Sequence, residues 1–339
     1  MTKTAVVLGV GGQIGTAVAR RMLDEGWQVR GLKLDDTPLP GDLAAVAVTA
    51  GDRNDDVVLA AVLAGGADAV VDTVAYNSRH GRQLLAHAGD IGALAVISSV
   101  AVYADAGGSS VGHGSPHWPA PVTEDQPVVS ASDDTYGGGK LMLERTLLDA
   151  GQLPVTALRP CAVWGPGSRH LREWWFIKRV IDLRPVVPLK FGGRSRFHPS
   201  STANIAALAL HCLGLPSSQI VNAADPDCPS VFDIAQHISR AMDHRWQIVQ
   251  LDDDESDGTV GDTPWTDRYP IVLDTSRATG LGYQPAGSYA DTVRTLIPEF
   301  LAEVDGRDWR DVYPALAGYA QDLFDYEAED RFLSGARLR

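Results

Sequence analysis

The stretch Thr4–Gly15, TAVVLGVGGQIG, decides how the rest of the chain is read. A short apolar run, Ala5-Val6-Val7-Leu8, enters Gly9, Gly12 and Gly15, three glycines three residues apart. An amphipathic run follows, in which Ala17, Val18, Met22 and Leu23 are set against Arg20, Arg21, Asp24 and Glu25. This pattern predicts strand, tight turn and helix in that order. Glycine permits the turn and lets the backbone approach a bound group closely. The new helix aims N–H groups and the positive end of its dipole at that group, which favours phosphate. The pyrophosphate of a dinucleotide is the expected guest, with Gly9, Gly12, Gln13, Ile14 and Gly15 around it.

Composition bounds what surrounds this unit. The 339 residues suit two domains, and 45% hydrophobic content supports a packed core. A net charge of −14 repels nucleic acid and anionic membranes, so neither is expected as a partner. The first apolar run is too short for a secretory signal, and no stretch has the length of a membrane span. Cys161, Cys212 and Cys228 are scattered and odd in number, with neither metal spacing nor a disulfide framework. A reducing cytoplasm is the expected compartment.

Outward from the glycine turn, apolar strands alternate with helical patterns. Strands are expected at 28–32, 44–48, 69–75 and 94–99, and helices at 57–63 and 78–89. This alternation predicts an α/β fold, a doubly wound parallel sheet. The end of the second strand bears on the cofactor, because an acid there accepts from the adenosine ribose and a base suits a 2′-phosphate. Lys33 comes first and leans the reading toward NADP, while Asp35 and Asp36 argue for NAD. Asp52 either reaches the adenine or caps the helix that begins near Asp55. Asp72 interrupts an otherwise apolar strand and reads as a strand-end acid satisfied by backbone groups. The Gly107–Pro121 loop contains His113 and His117, two histidines without the partner ligands a metal site needs. No metal is expected.

Tyr136 and Lys140 stand four apart, on one face of a helix. A phenol titrates about three units too high for acid–base work at neutral pH, and a neighbouring ammonium lowers it. Tyr136 with Lys140 is therefore a candidate proton donor and acceptor, and Ser99, at the end of the preceding strand, a candidate holder of the substrate oxygen. Between them lies Gly137-Gly138-Gly139, three helical glycines costing about 1 kcal/mol each against alanine. Close packing against the cofactor ribose, the substrate or a partner subunit's helix is the expected reason.

These residues resemble, in order, the motifs of the extended short-chain dehydrogenase/reductase superfamily, the NAD-dependent epimerase/dehydratase group. Gly9-x-x-Gly12-x-x-Gly15 resembles its cofactor loop, and Ile97–Tyr103 its strand carrying a catalytic Ser or Thr, here Ser99. Thr123–Pro127 resembles the acidic segment before the active-site helix, and Tyr136-x-x-x-Lys140 the catalytic motif. Leu158–Gly167, LRPCAVWGPG, resembles the segment closing over the nicotinamide, and Leu273–Pro285 a late segment before the final helices. The resemblance implies a Rossmann-type domain over 1–165 plus about 198–226, and a smaller substrate-binding domain from 166–197 and 227–339. It implies an NAD(P)-dependent oxidoreductase that moves a hydride between the nicotinamide and a secondary alcohol or ketone of a small-molecule substrate, sugar-nucleotide-like or a natural product. Ser99, Tyr136 and Lys140 are then catalytic. The cofactor is held by the glycine turn, Lys33, Asp52, Tyr136, Lys140, Pro160 and Val163.

The departures matter too. The 4,6-dehydratase branch carries Asp-Glu after the catalytic Thr, where this chain has Val100 and Ala101, so that reaction is disfavoured. In the substrate half, Ser99 and Trp164 are expected at the substrate. Trp174 and Trp175 either stack on a ring or belong to the core, and Arg194 and Arg196 either hold an anionic group or are solvated. The acidic run 252–258 reads as a solvated loop. Two rivals stand beside this reading: a sugar-nucleotide epimerase with the same site, and a non-catalytic NADP-sensing regulator. A homodimer is implied by the resemblance alone.

Overall fold

The computed structural model describes residues 2–252 and 258–336. Most of the acidic run, residues 253–257, lies outside the described residues. Two compact units emerge, one of Met1–Val163, Ser200–Asp225 and Leu273–Ala286, the other of Trp164–Pro199, Pro226–Val272 and Gly287–Arg339.

The first unit is built on a seven-stranded parallel sheet. Its first six strands in chain order are β1 (Thr4–Leu8), β2 (Gln28–Lys33), β3 (Ala47–Ala50), β4 (Ala69–Asp72), β5 (Leu94–Ile97) and β6 (Val155–Pro160). The seventh is Gln219–Ala223, and the spatial order is β3-β2-β1-β4-β5-β6 followed by that strand. Alternate residues of β1 feed two cores. Ala5 and Val7 pack with Val18, Ala19 and Met22 of α1 (Gln13–Asp24) and with Ala206 and Leu210 of the helix Thr202–Leu213. Val6 and Leu8 pack on the other face with Leu59, Val62 and Leu63 of α2 (Asp56–Leu63), Leu84 of α3 (Ser78–Leu85), and Leu143 and Leu147 of α4 (Tyr136–Ala150). Helices on both faces of a parallel sheet make the doubly wound α/β fold.

Two expectations shift. The third strand lies at Ala47–Ala50 rather than 44–48, because Gly41–Leu43 forms a short 3₁₀ turn and Leu43 and Val46 are drawn into the core. The segment Leu273–Ala286, expected among the C-terminal pieces, belongs to the first unit. Leu273 bridges to Val122, Arg277 pairs with Glu124 at 3.4 Å, and the Tyr283 hydroxyl donates to the Asn204 carbonyl at 3.1 Å.

The second unit is mainly helical, with Trp174–Ile181, Val231–Ala241, Tyr289–Val304 and Tyr326–Ala336 as its longer helices. A small parallel pair joins Val186–Leu189 to Gln247–Gln250. No helix among the described residues is long and apolar enough to cross a membrane.

Candidate active site

The sheet brings its chemistry to the carboxyl ends of its strands, as parallel α/β sheets do. At the end of β1, Gly9 adopts φ +85°, a conformation glycine takes without strain. A Cβ on Gly15 would lie 2.1 Å from the Gly9 carbonyl oxygen, so only glycine lets α1 start this close to the strand. The N-terminus of α1 has no side-chain cap and no acidic residue in its first turn. Gly11 and Gly12 are exposed. Uncapped N–H groups, an exposed glycine edge and the positive helix end fit the pyrophosphate of a dinucleotide. Gln13 and Ile14 lie in that first turn, and Pro160 and Val163 lie at and just beyond the end of β6.

Lys33 ends β2 against this turn, with its Cε 2.8 Å from where a Gly11 side chain would begin. Its ammonium is buried and committed. It donates to Asp35 Oδ1 at 2.6 Å, to Thr37 Oγ1 at 2.6 Å, and to the Thr37 carbonyl. Hydrogen bonds from Lys33 and Thr37 hold the Asp35 carboxyl down to about 2. Of the two readings of Asp52, the cap falls away. Asp55 caps α2 by accepting from Val57 N–H at 2.8 Å, while Asp52 is exposed and accepts from Asn54 N–H at 2.8 Å.

Ser99, Tyr136 and Lys140 come together between β5 and α4. Ser99 follows β5, and its Oγ accepts from Ala101 N–H at 3.1 Å to start a 3₁₀ turn over Val100–Val102. Tyr136 opens α4 and is 55% exposed. The surrounding protein pushes its phenol above the ordinary value, and a hydrogen bond with the Ser99 side chain pulls it back. Lys140, one turn on, is 2% exposed. Its Nζ donates to the carbonyls of Ala75 at 2.6 Å and Ile97 at 2.7 Å, and burial brings its pKa to about 8. The expectation that Lys140 depresses Tyr136 is therefore corrected: the ammonium sits 5.7 Å from the phenol's ring centre, turned to two carbonyls, and the phenol is raised.

The three glycines after Tyr136 also receive an answer that differs from the expected guests. A Cβ on Gly137 would lie 2.2 Å from the Ala101 carbonyl oxygen, on Gly138 2.4 Å from that of Ser132, and on Gly139 2.8 Å from that of Tyr76. The chain's own backbone fills the space given to cofactor, substrate or partner. One of these segments carries Ser99.

Sequence reasoning missed the buried polar frame behind the site. Glu144, a further turn along α4, accepts from Ser98 Oγ at 2.5 Å and takes Arg159 through Nε at 2.9 Å and NH2 at 2.6 Å. Its position four after Lys140 was a signal available in the spacing. Asp72 is satisfied by more than the expected backbone groups. Its Oδ1 accepts from Val74 N–H at 2.9 Å, and its Oδ2 takes Arg53 through Nε at 2.9 Å and NH2 at 2.7 Å.

In the second unit the tryptophan question resolves toward the core. Trp164 and Trp175 are 1% exposed and Trp174 3%, leaving no face for a substrate ring. Trp164 packs on Tyr289, Trp174 on Tyr313, and Trp175 on Phe176. Arg194 and Arg196 do share an open pocket of about 350 Å³ with Ser230, Phe232 and Gln250, where Arg196 NH1 also donates to the Cys228 carbonyl. His113 is tied by backbone to Ser110, and His117 N–H donates to Asp105 Oδ2 at 3.0 Å. Among the described residues no cluster of three His, Cys, Asp or Glu is disposed to hold a metal ion.

Residues 5–183 match the model of the NAD dependent epimerase/dehydratase family. No curated protein sequence matches the chain significantly. Among solved structures, a Burkholderia cenocepacia putative epimerase is 21% identical with TM-score 0.69, covering 88% of this chain and 98% of its own. A Thermus thermophilus UDP-glucose 4-epimerase in complex with NAD is 17% identical with TM-score 0.66, again over 88% and 98%. A Bacillus anthracis dTDP-glucose 4,6-dehydratase in complex with NAD is 15% identical with TM-score 0.68, over 90% and 99%. Resemblances at this identity establish the fold.

Proposed function

The chain belongs to the NAD-dependent epimerase/dehydratase family, and from that membership we propose an oxidoreductase that moves a hydride reversibly between NAD and a secondary alcohol or ketone carbon of a sugar-nucleotide-like substrate. The convergence of the Ser99 hydroxyl, the Tyr136 phenol and the Lys140 ammonium carries this reading. NAD, bound at the glycine turn, supplies the hydride acceptor. Ser99 Oγ holds the substrate oxygen, and Tyr136 Oη takes its proton on oxidation and returns it on reduction. Lys140 stays charged below about pH 8, and its two carbonyl contacts hold the ammonium 5.7 Å from the phenol's ring centre. Val100 and Ala101, both buried and without a proton to move, argue against elimination of water at this site.

NAD is preferred over NADP because Lys33 is already neutralised. A 2′-phosphate at the end of β2 would have to displace Asp35 and Thr37 from the ammonium and would meet the Asp35 carboxylate.

The test is a screen of UDP-glucose, dTDP-glucose and simple secondary alcohols for reduced-nicotinamide absorbance or isomerised product, with NAD and NADP in parallel. Tyr136→Phe is expected to lower kcat by about 10²- to 10⁴-fold, the usual worth of general acid–base catalysis, with NAD affinity kept. Wild-type turnover in Tyr136→Phe would sink the assignment. The net epimerase remains a second reading of this site: NAD retained through purification would favour it, because both half-reactions then use one cofactor.

A further inference from the structure

Tyr76 stands beside α4 and has no part in the scheme above. Its ring is 48% exposed, yet its peptide is fixed from three directions. Its N–H donates to His80 Nδ1 at 2.8 Å. The carbonyl of Ala75 before it accepts from Lys140 Nζ at 2.6 Å. Its own carbonyl occupies the space Gly139 leaves, 2.8 Å from where a Cβ would stand. His80 is held in turn: Nδ1 accepts from Tyr76, and Nε2 meets Asn54 Oδ1 at 2.7 Å. This arrangement sets the Tyr76 ring over the Lys140 ammonium, 4.4 Å from centroid to Nζ. The Tyr136 ring is farther, at 5.7 Å.

We propose that Tyr76 is a positioning residue for Lys140: its ring face keeps the lysine charged and aimed between the carbonyls of Ala75 and Ile97. The other groups acting on that ammonium are Asp72 at the end of β4, Glu144 and Tyr136 on α4, and His80 on α3. Arg53 engages Asp72 and Arg159 engages Glu144, so neither carboxylate's charge is Lys140's alone. The Tyr76 ring has no competing cation: among the described residues, Lys140 alone sits over it. A desolvated cation gains most from such a face. The consequence for turnover rests on the reading of Lys140 as the site's ammonium, whereas the test itself needs no substrate.

The experiment is an NMR titration of the whole chain labelled at lysine Cε and Nζ. The five lysines are Lys3, Lys33, Lys140, Lys178 and Lys190, and loss of one signal in Lys140→Arg assigns the resonance. Tyr76→Leu is expected to lower the Lys140 pKa by about 0.5 to 1.5 units, the worth of one partly desolvated cation–π contact. Tyr76→Phe, which keeps the ring, is expected to titrate with the wild type, and Tyr76→Trp at or above it. An unshifted Tyr76→Leu overturns the proposal, as does a Tyr76→Phe shifted as far as Tyr76→Leu. Should Tyr76→Leu fail to fold, the Phe and Trp variants still decide, because a fall in either one contradicts a role for the ring face. Turnover of Tyr136→Phe tests the hydride-transfer reading separately, so the two can fail independently.

Discussion

Helix α1 begins at a spaced glycine turn and helix α4 carries three glycines in a row directly after its first residue, Tyr136, and what surrounds them differs. At α1 the inner glycines touch protein, with a Gly15 Cβ falling 2.1 Å from the Gly9 oxygen, while the outer edge is soft or open. There a Gly12 Cβ would find only the Gly9 oxygen, at 3.4 Å, and a Gly11 Cβ the flexible end of Lys33. At α4 all three glycines meet backbone, from Ala101, from Ser130 and Ser132, and from Tyr76. The caps follow suit. Nothing from a side chain caps α1, whereas Thr135 Oγ1 accepts from Gly138 N–H at 3.1 Å to cap α4. One helix start is left open, and the other is closed by the chain itself. Glycine thus serves opposite ends: at α1 it leaves an outer edge open, where the proposed dinucleotide would lie, and at α4 it lets the segments bearing Ser99 and Tyr76 pack directly on the helix bearing Tyr136 and Lys140.

The largest effect should come where both uses meet, at Gly15. Its would-be Cβ faces a carbonyl within the turn, with the Val10 Cα also at 2.9 Å, so α1 must back away from β1. Overpacking of this kind costs about 3 kcal/mol, at the upper end of its usual range. Gly15→Ala should lower the denaturant midpoint and weaken NAD binding at least tenfold by calorimetry. Unchanged NAD affinity would show that the turn is not where the dinucleotide sits.

Gly137→Ala should separate the two starts. Helix propensity alone predicts that alanine stabilises α4 by about 1 kcal/mol. The Ala101 oxygen, 2.2 Å from the new Cβ, predicts the opposite, a loss of about 2 kcal/mol as the Ser99–Ala101 turn is pushed from Tyr136. Turnover should fall while NAD affinity holds, because the α1 turn is untouched. A rise in thermal midpoint would mean that the close approach relaxes easily, and the contrast between the helix starts would collapse.

This contrast also explains what could be read beforehand. The α1 turn is local: strand, glycines and helix follow one another, so spacing alone exposed it. Tyr136 and Lys140 were legible because four residues on a helix is a short-range relation, and Ser99 because it closes an apolar strand. The meaning of Gly137–Gly139 was not legible, because Gly137 and Gly139 make room for segments distant in sequence, at Ala101 and Tyr76, and only Gly138 for the neighbouring Ser132 carbonyl. The same holds for Arg53 with Asp72, 19 residues apart, and Arg159 with Glu144, 15 apart. Charged pairs joining a helix to a strand, or two strand-end loops, leave no periodic trace. The tryptophans failed for another reason: aromatic content marks both cores and binding surfaces, and only packing tells Trp174 and Trp175 apart from a stacking platform.

The smallest effect belongs to Gly11→Ala, and it tests the soft side of the α1 turn. The new Cβ would meet Lys33 Cε at 2.8 Å, the far part of a long side chain. Lys33 can swing away without moving backbone, so the cost at neutral pH should be that of one half-exposed ion pair, about 1 kcal/mol or less. A displaced ammonium leaves Asp35 and Thr37, and the Asp35 carboxyl, now at about 2, loses its chief partner and should titrate higher. A folded-state pKa below the unfolded value stabilises the protein above the unfolded pKa, and that stability is lost as pH falls toward the folded one. The wild type should therefore lose more stability than Gly11→Ala between about pH 4 and pH 2. Freed from its acid, Lys33 can also meet a 2′-phosphate, so the preference for NAD over NADP should narrow. A large loss of stability at neutral pH would show that the outer edge of the turn is as rigid as α4's, and the contrast between the two helix starts would fall.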